Sequence, residues 1–177
     1  MSLLQAALLA LALVLVAVYV SWTAGRLDRL HARVDAAWAA LDAALVRRAA
    51  AARAVLLHLP PQAPQTRALE RATAVALEAG PVGREVVENE LTAALRSALP
   101  LLPGPGRDEV LAELSAAGNR VGLARAVHNG AVADTRVLRV RRLPRALHLA
   151  GHRAMPQHFD VDESPLLPGP SGPAPLA

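Results

Sequence analysis

Residues 3 to 25, LLQAALLALALVLVAVYVSWTAG, contain no charged side chain over 23 consecutive positions. As a helix rising about 1.5 Å per residue the run is roughly 34 Å long, enough to cross a hydrocarbon core of about 30 Å. Tyr19 and Trp22 fall near its C-terminal end, where amphipathic rings favour the headgroup level. A cleaved signal peptide would have a basic segment ahead of a shorter apolar core, whereas only Met1 and Ser2 precede this one. The expectation is therefore an uncleaved, single-pass anchor over residues 1–25. Arg26, Arg29, Arg33, Arg47 and Arg48 all lie beyond it, and an excess of arginine on one flank predicts a cytoplasmic body.

Beyond the anchor the pattern is helical throughout. From Leu27 to Leu59 the larger side chains recur as Leu27, Leu30, Val34, Trp38, Leu41, Leu45, Val55 and Leu59, in steps of three and four where the series is unbroken. Nothing between the anchor and this stretch breaks a helix, so the membrane helix is expected to continue into it until Pro60 and Pro61. A second helix fits residues 66–79, ended by Gly80-Pro81, and a third fits 82–99, with Val87, Leu91, Ala94, Leu95, Ala98 and Leu99 on one face. A Pro/Gly loop over 100–106 precedes a long fourth helix with Asp108 as its expected N-cap. Its seam runs Val110, Ala117, Ala124, Ala131 and Leu138 at steps of seven, interleaved with Leu114, Val121, His128 and Thr135, a coiled-coil-like spacing for shallow-angle packing. Residues 145–155 read as a short basic helix, and the tail SPLLPGPSGPAPLA is too rich in proline and glycine to bury a core. The fold class expected is all-α, an N-terminal transmembrane helix continuing into an antiparallel bundle of about four helices. Its divisions are an anchor over 1–25, a bundle over 26–150 and a C-terminal segment with a disordered tail over 151–177.

Composition removes several classes of chemistry. There is no cysteine, hence no disulfide, thiol nucleophile or thiolate metal site. The 19 basic residues are all arginine, and neither lysine nor isoleucine occurs, a pattern of coding bias that weakens any reading of the net charge of +4 as a sign of nucleic acid. Aromatic residues for base stacking make up only 2% of the chain, and no nucleic-acid partner is expected.

The stretch RVDAAWAALDAALVRR, carrying Val34, Asp35, Ala37, Trp38, Leu41, Asp42, Leu45, Arg47 and Arg48, resembles the signature of the LemA family. Two later segments agree in order and type. Glu88-Asn89-Glu90-Leu91-Thr92-Ala93-Ala94-Leu95 is similar to the family's E-N-x-L-x-x-A-L, and Asn119-Arg120-Val121, Ala124-Arg125, His128-Asn129 and Val132 are similar to its N-R-I-x-x-A-R-x-x-Y-N-x-x-V. Leu143-Pro144 stands where the family has Phe-Pro, and His158-Phe159 with Asp160 and Glu163 resembles its closing aromatic pair and acids. The likeness covers about residues 26 to 163. The chain departs from the pattern at Ala49 to Val55, where the family has Tyr-Asp-Leu-Ile-Pro-Asn-Leu, and at His128 and Thr135, which replace tyrosines. The resemblance implies a membrane-anchored antiparallel helical bundle and no established enzymatic activity.

Individual residues then take expected roles. His128 and Thr135, the two polar positions on the fourth seam, suggest core sites whose polar tips are satisfied across the bundle. Asp35 and Asp42, seven apart, share a helix face. With Arg47, Arg48, Asn119, Arg125, His128 and Asn129 they either form a structural polar layer joining the first helix to the fourth or lie in solvent. Trp38 is the expected core anchor. His148 and His152 have the spacing of shared metal ligands, yet no zinc-protease glutamate follows and only His158 offers a third donor, so no metal or other cofactor is expected. No phosphate-binding loop, nucleophile elbow or dinucleotide fingerprint occurs, and no catalytic residue is assigned. The run Arg136, Arg139, Arg141, Arg142, Arg145 and Arg153 has no acid between Asp134 and Asp160. Arg139, Arg141, Arg142 and Arg145 are accordingly candidates for contact with anionic lipid. The leading expectation is a non-enzymatic interaction or scaffold protein of the cell envelope, able to engage an unidentified envelope protein or a second copy of itself. The alternatives are a peripheral lipid-sensing module using residues 136–153 and a hydrolase or metal protein using His128, His148, His152 and His158.

Overall fold

The computed structural model describes residues 2–104, 106–140 and 154–162. The protein is all-α, and its elements in chain order are α1 (Leu3–Val55), α2 (Pro64–Glu78), α3 (Arg84–Ala98) and α4 (Arg107–Arg139). Short 3-10 turns, Leu56–His58 and Leu99–Leu101, extend α1 and α3.

Helix α1 opens on a reciprocal cap. The Ser2 backbone N–H donates to Gln5 Oε1 at 2.9 Å and the Gln5 N–H donates to Ser2 Oγ at 3.3 Å, satisfying two donors that the first helical turn leaves without partners. From there 53 residues run without a break, so the apolar stretch continues directly into the amphipathic one as the sequence led us to expect. The first part is long and apolar enough to cross a membrane, and none of its most apolar window is buried within the protein. Thr23, a polar residue inside it, turns its hydroxyl onto the Tyr19 carbonyl at 2.8 Å and so needs no partner outside its own helix. Leu59 is extended ahead of Pro60 and Pro61, which stop the helix as their chemistry requires.

The chain divides into two compact units, one of residues 1–39 and 127–158, the other of residues 40–126 and 159–177. In the first, α1 and α4 lie antiparallel: Trp38 meets His128, Arg33 meets Asp134, and His31 approaches Arg139. Val34, Ala37, Ala131 and Val132 form the small core between these two helices.

In the second unit, the later turns of α1 pack with α2, α3 and the first half of α4 around a larger core. Leu45, Val55, Leu69, Leu91, Leu95 and Leu99 are fully buried, and Leu114 and Ala117 complete the core from α4. The interiors of both units are built from leucine, valine and alanine, with small residues at many helix contacts.

Most of the seam expected on α4 is buried, at Leu114, Ala117, Val121, His128, Ala131, Thr135 and Leu138, while its members Val110 and Ala124 are half-buried. Two details differ from expectation. Helix α4 begins at Arg107, which puts Asp108 in the first turn, where its charge favours the helix dipole, and not at the cap. Gly106, at φ 78°, makes the entry. Pro100 lies inside the 3-10 turn after α3 rather than in open loop, since proline at the start of a turn loses no hydrogen bond. Of the expected basic helix over 145–155, residues 145–153 lie outside the described residues, and Ala154 and Met155 are not helical.

Leu95→Ala should lower unfolding stability by about 2–5 kcal/mol because its site is fully buried. Val75→Ala, at a half-exposed position on α2, should change it by no more than about 0.5 kcal/mol. Urea unfolding of the detergent-solubilised chain measures both.

Candidate functional site

Among the described residues, each unit contains a buried concentration of polar chemistry. The one in the second unit is a buried ion cluster between α1 and α3. Glu88, with no exposed surface, accepts from Arg48 Nη1 at 2.9 Å and from Arg84 Nε at 3.0 Å, one guanidinium on each carboxylate oxygen. Arg48 Nη2 donates to Thr92 Oγ1 at 2.7 Å, and that hydroxyl donates in turn to the Glu88 carbonyl at 2.8 Å. Arg84, 1% exposed, also donates to the Ala79 carbonyl and lies 3.3 Å from Asp42 Oδ1.

Local structure places this cluster. Gly83, at φ 72°, caps α3 in a left-handed conformation, which sets Arg84 at the first helical position and Glu88 one turn later on the same face as Leu91 and Leu95. Burial raises the Glu88 carboxyl above its ordinary value of 4.5, and the charges and hydrogen bonds of Arg48 and Arg84 pull it back. Arg84 Nη2 is buried without a hydrogen-bond partner among the described residues.

The first unit holds the second concentration, where the segment 154–158 lies on α4. His128 is buried and directs Nε2 at the Gln157 carbonyl, 3.3 Å away, while its ring meets Trp38 edge-on at a centroid distance of 5.5 Å. A carbonyl only accepts, so Nε2 carries the proton and Nδ1 is a bare buried nitrogen with no partner among the described residues. Desolvation lowers the His128 pKa below its ordinary 6.5, the Gln157 carbonyl opposes that, and nearby His158 reinforces it. Three turns away Arg139 donates to the Ala154 carbonyl at 2.6 Å and approaches His31 Nε2 at 3.5 Å. His31 directs Nδ1 at the Leu27 carbonyl, 2.9 Å distant.

Residues 159–162 belong to the second unit and are tied there by both backbone and side chains. The Asp160 N–H donates to Glu85 at 2.6 Å and the Asp162 N–H to Asn89 at 2.9 Å. Arg96 and Arg125 pair with Asp162 and Asp160 at 2.7 and 3.4 Å, and Phe159 is buried.

The eight residues expected in one polar layer are thus distributed. Asp42 and Arg48 enter the buried cluster, whose other members come from α3 and not from α4. Arg47, Asn119 and Asp35 are exposed, and Asn129 is half-buried. Arg125 turns to Asp160, and His128 finds its acceptor on the 154–158 segment instead of on a facing helix. Thr135, the second polar seam position, donates to the Ala131 carbonyl of its own helix at 2.8 Å. Trp38 is half-buried and packs on His128. Arg139 is turned onto the Ala154 carbonyl, while Arg141, Arg142, Arg145, His148, His152 and Arg153 lie outside the described residues. Among the described residues no three His, Asp or Glu side chains converge to hold a metal ion.

Sequence reasoning did not single out Arg84 or His31. The signal for Arg84 was present: Arg84 and Glu88 are four apart and continue the face of Leu91, Leu95 and Leu99, so two opposite charges lay on a buried stripe. His31 likewise falls between Leu27 and Val34 on the series already drawn. With this geometry established, comparison with known proteins finds no matching family model, no matching curated protein and no matching solved structure.

Glu88→Gln should cost about 3–5 kcal/mol at neutral pH, because it leaves two guanidiniums buried without a counter-charge. Since burial raises the Glu88 pKa, the carboxyl's own contribution is greatest below 4.5 and falls as pH rises through the raised value; glutamine does not titrate, so the gap between variant and wild type widens at low pH. For His128 the sign is the reverse. Its lowered pKa means that stability is fully present above 6.5 and is lost as pH falls through the lowered value. His128→Phe should flatten that part of the profile, read as the difference in unfolding midpoint between pH 7.5 and 5 for the two proteins.

Proposed function

We propose that the chain is a LemA-like, membrane-anchored scaffold, held by residues 3–25 with its helical body on the cytoplasmic face, where it engages protein partners of the cell envelope without catalysing a reaction. The observation that carries this reading is the continuity of α1. One helix supplies an exposed apolar stretch long enough to span a bilayer and then, without a hinge, the residues around which α2, α3 and α4 pack. A helical body joined to its anchor through one continuous helix suits a scaffold better than a tethered enzyme that must reach diffusing substrates.

The three ordered motifs support the family likeness. Three of their charged members, Arg48, Glu88 and Arg125, lie in ion pairs of the second unit, a use of these residues that needs no reaction to explain it. The arginines after residue 25 support the orientation.

A reporter active only in the cytoplasm, fused after Gly151, should give signal, and its counterpart active only outside should be silent. The opposite result overturns the orientation. Affinity capture from solubilised membranes should retain a partner in constant ratio to the full chain, and retrieval of none in several detergents would count against the scaffold role.

A further inference from the structure

A cavity of about 350 Å³ opens in the first unit between α1 and α4, lined by Arg26, Leu30, Arg33, Asp134, Val137 and Leu138. Its position along α1 is informative. The uncharged run ends at Gly25, so at about 1.5 Å per residue Leu30 stands roughly 7.5 Å beyond it, about the thickness of one headgroup layer. The guanidinium of Arg26, itself part of the lining, lies 5.7 Å from the centroid of the exposed Trp22 ring one turn earlier, an aromatic and cation pair of the kind that sits at a membrane interface. The α4 wall also carries an apolar side chain into this zone, since Val137 is 60% exposed, and Val140 just beyond the helix is 63% exposed. In water such exposure is a cost, whereas against the glycerol and upper acyl region of a lipid it is not.

The polar lining has a definite charge order. Arg26 and Arg33 offer guanidiniums suited to bidentate contact with phosphate oxygens. Asp134 is an acceptor beside them, 3.3 Å from Arg33, in a pair whose side chains are 60% and 59% exposed and which is therefore weak enough to be shared with a ligand. Two cations and an adjacent carboxylate match a headgroup with an anionic phosphate and a cationic amine a short linker away. The amine must be primary. A carboxylate recognises an ammonium through its N–H donors, a quaternary ammonium has none and is taken by aromatic cages, and no aromatic residue is among those lining the cavity.

We infer that this cavity is a binding site for the phosphoethanolamine headgroup of a membrane lipid, with Arg26 and Arg33 on the phosphate and Asp134 on the primary amine. The site rests on the reading that residues 3–25 cross the membrane. It uses none of the basic segment beyond residue 139.

The test is native mass spectrometry of the full chain released from nanodiscs of equal parts phosphatidylethanolamine and phosphatidylcholine, counting the lipids that stay bound. The ethanolamine lipid should be retained over the choline lipid by about three- to fivefold, the scale of one exposed charge pair. Asp134→Asn should return that ratio to one while lipid is still retained, and Arg26→Gln with Arg33→Gln should lose both lipids. All three side chains are exposed enough for these variants to fold, which circular dichroism checks. A wild-type ratio of one, or a ratio unchanged in Asp134→Asn, overturns the proposal. Free phosphoethanolamine at equal concentration should fail to displace the lipid; full displacement would make the ligand a soluble phosphomonoester and overturn the lipid assignment. Failure of the membrane reading is seen separately, as extraction of the chain from vesicles by carbonate.

Discussion

The second unit depends on one carboxylate. Glu88 is fully buried, and a buried charge persists only where its hydrogen-bonding capacity is filled and its field is opposed. Arg48 from α1 and Arg84 from the first turn of α3 do both, and Asp42 and Thr92 occupy further donors of the same two guanidiniums. Because α1 and α3 each contribute a charge that the other must meet, their relative register is set. A slip of one helical turn would leave ions in an apolar core. A fully apolar replacement of comparable volume could be as stable, as with other buried ion sets, so the gain from the cluster is specificity of pairing. In a core otherwise made of leucine, valine and alanine, where many registers pack comparably well, that specificity has value.

Helix α1 changes character within one element. Up to Gly25 its side chains are uncharged and mostly apolar all round, and beyond Arg26 the same helix is apolar on one face only. No loop separates the two regimes, so the orientation of the first turns outside the run is fixed by the helix itself. The juxtaposition of Arg26 and Arg33 with the end of α4 follows from this continuity, and so does the cavity assigned to a lipid headgroup.

The segment 154–162 has little secondary structure of its own and is held by side chains from the helices. Its carbonyls accept from Arg139 and His128, its backbone N–H groups donate to Glu85 and Asn89, and its two aspartates meet Arg125 and Arg96. Phe159 adds an apolar anchor. A chain with so few aromatic residues uses its one phenylalanine here. His128 is the member sensitive to mild acid, because it is buried neutral against Trp38.

The local order of this protein was legible in its amino acids. Four helices, their breaks at proline and glycine, the continuous first helix and the buried seam of α4 all follow from spacing and backbone chemistry, which act over a few residues and need no knowledge of the fold. The partners of the polar side chains were decided elsewhere. Asp42 and Arg48, read as either a layer toward the fourth helix or solvated, found the third, and His128 found a carbonyl 29 residues away. Helical periodicity tells which residues share a face, but the choice among the other three helices depends on how the faces of all four fill space together. That choice, made by packing and by the need to neutralise Glu88, existed only in the tertiary structure.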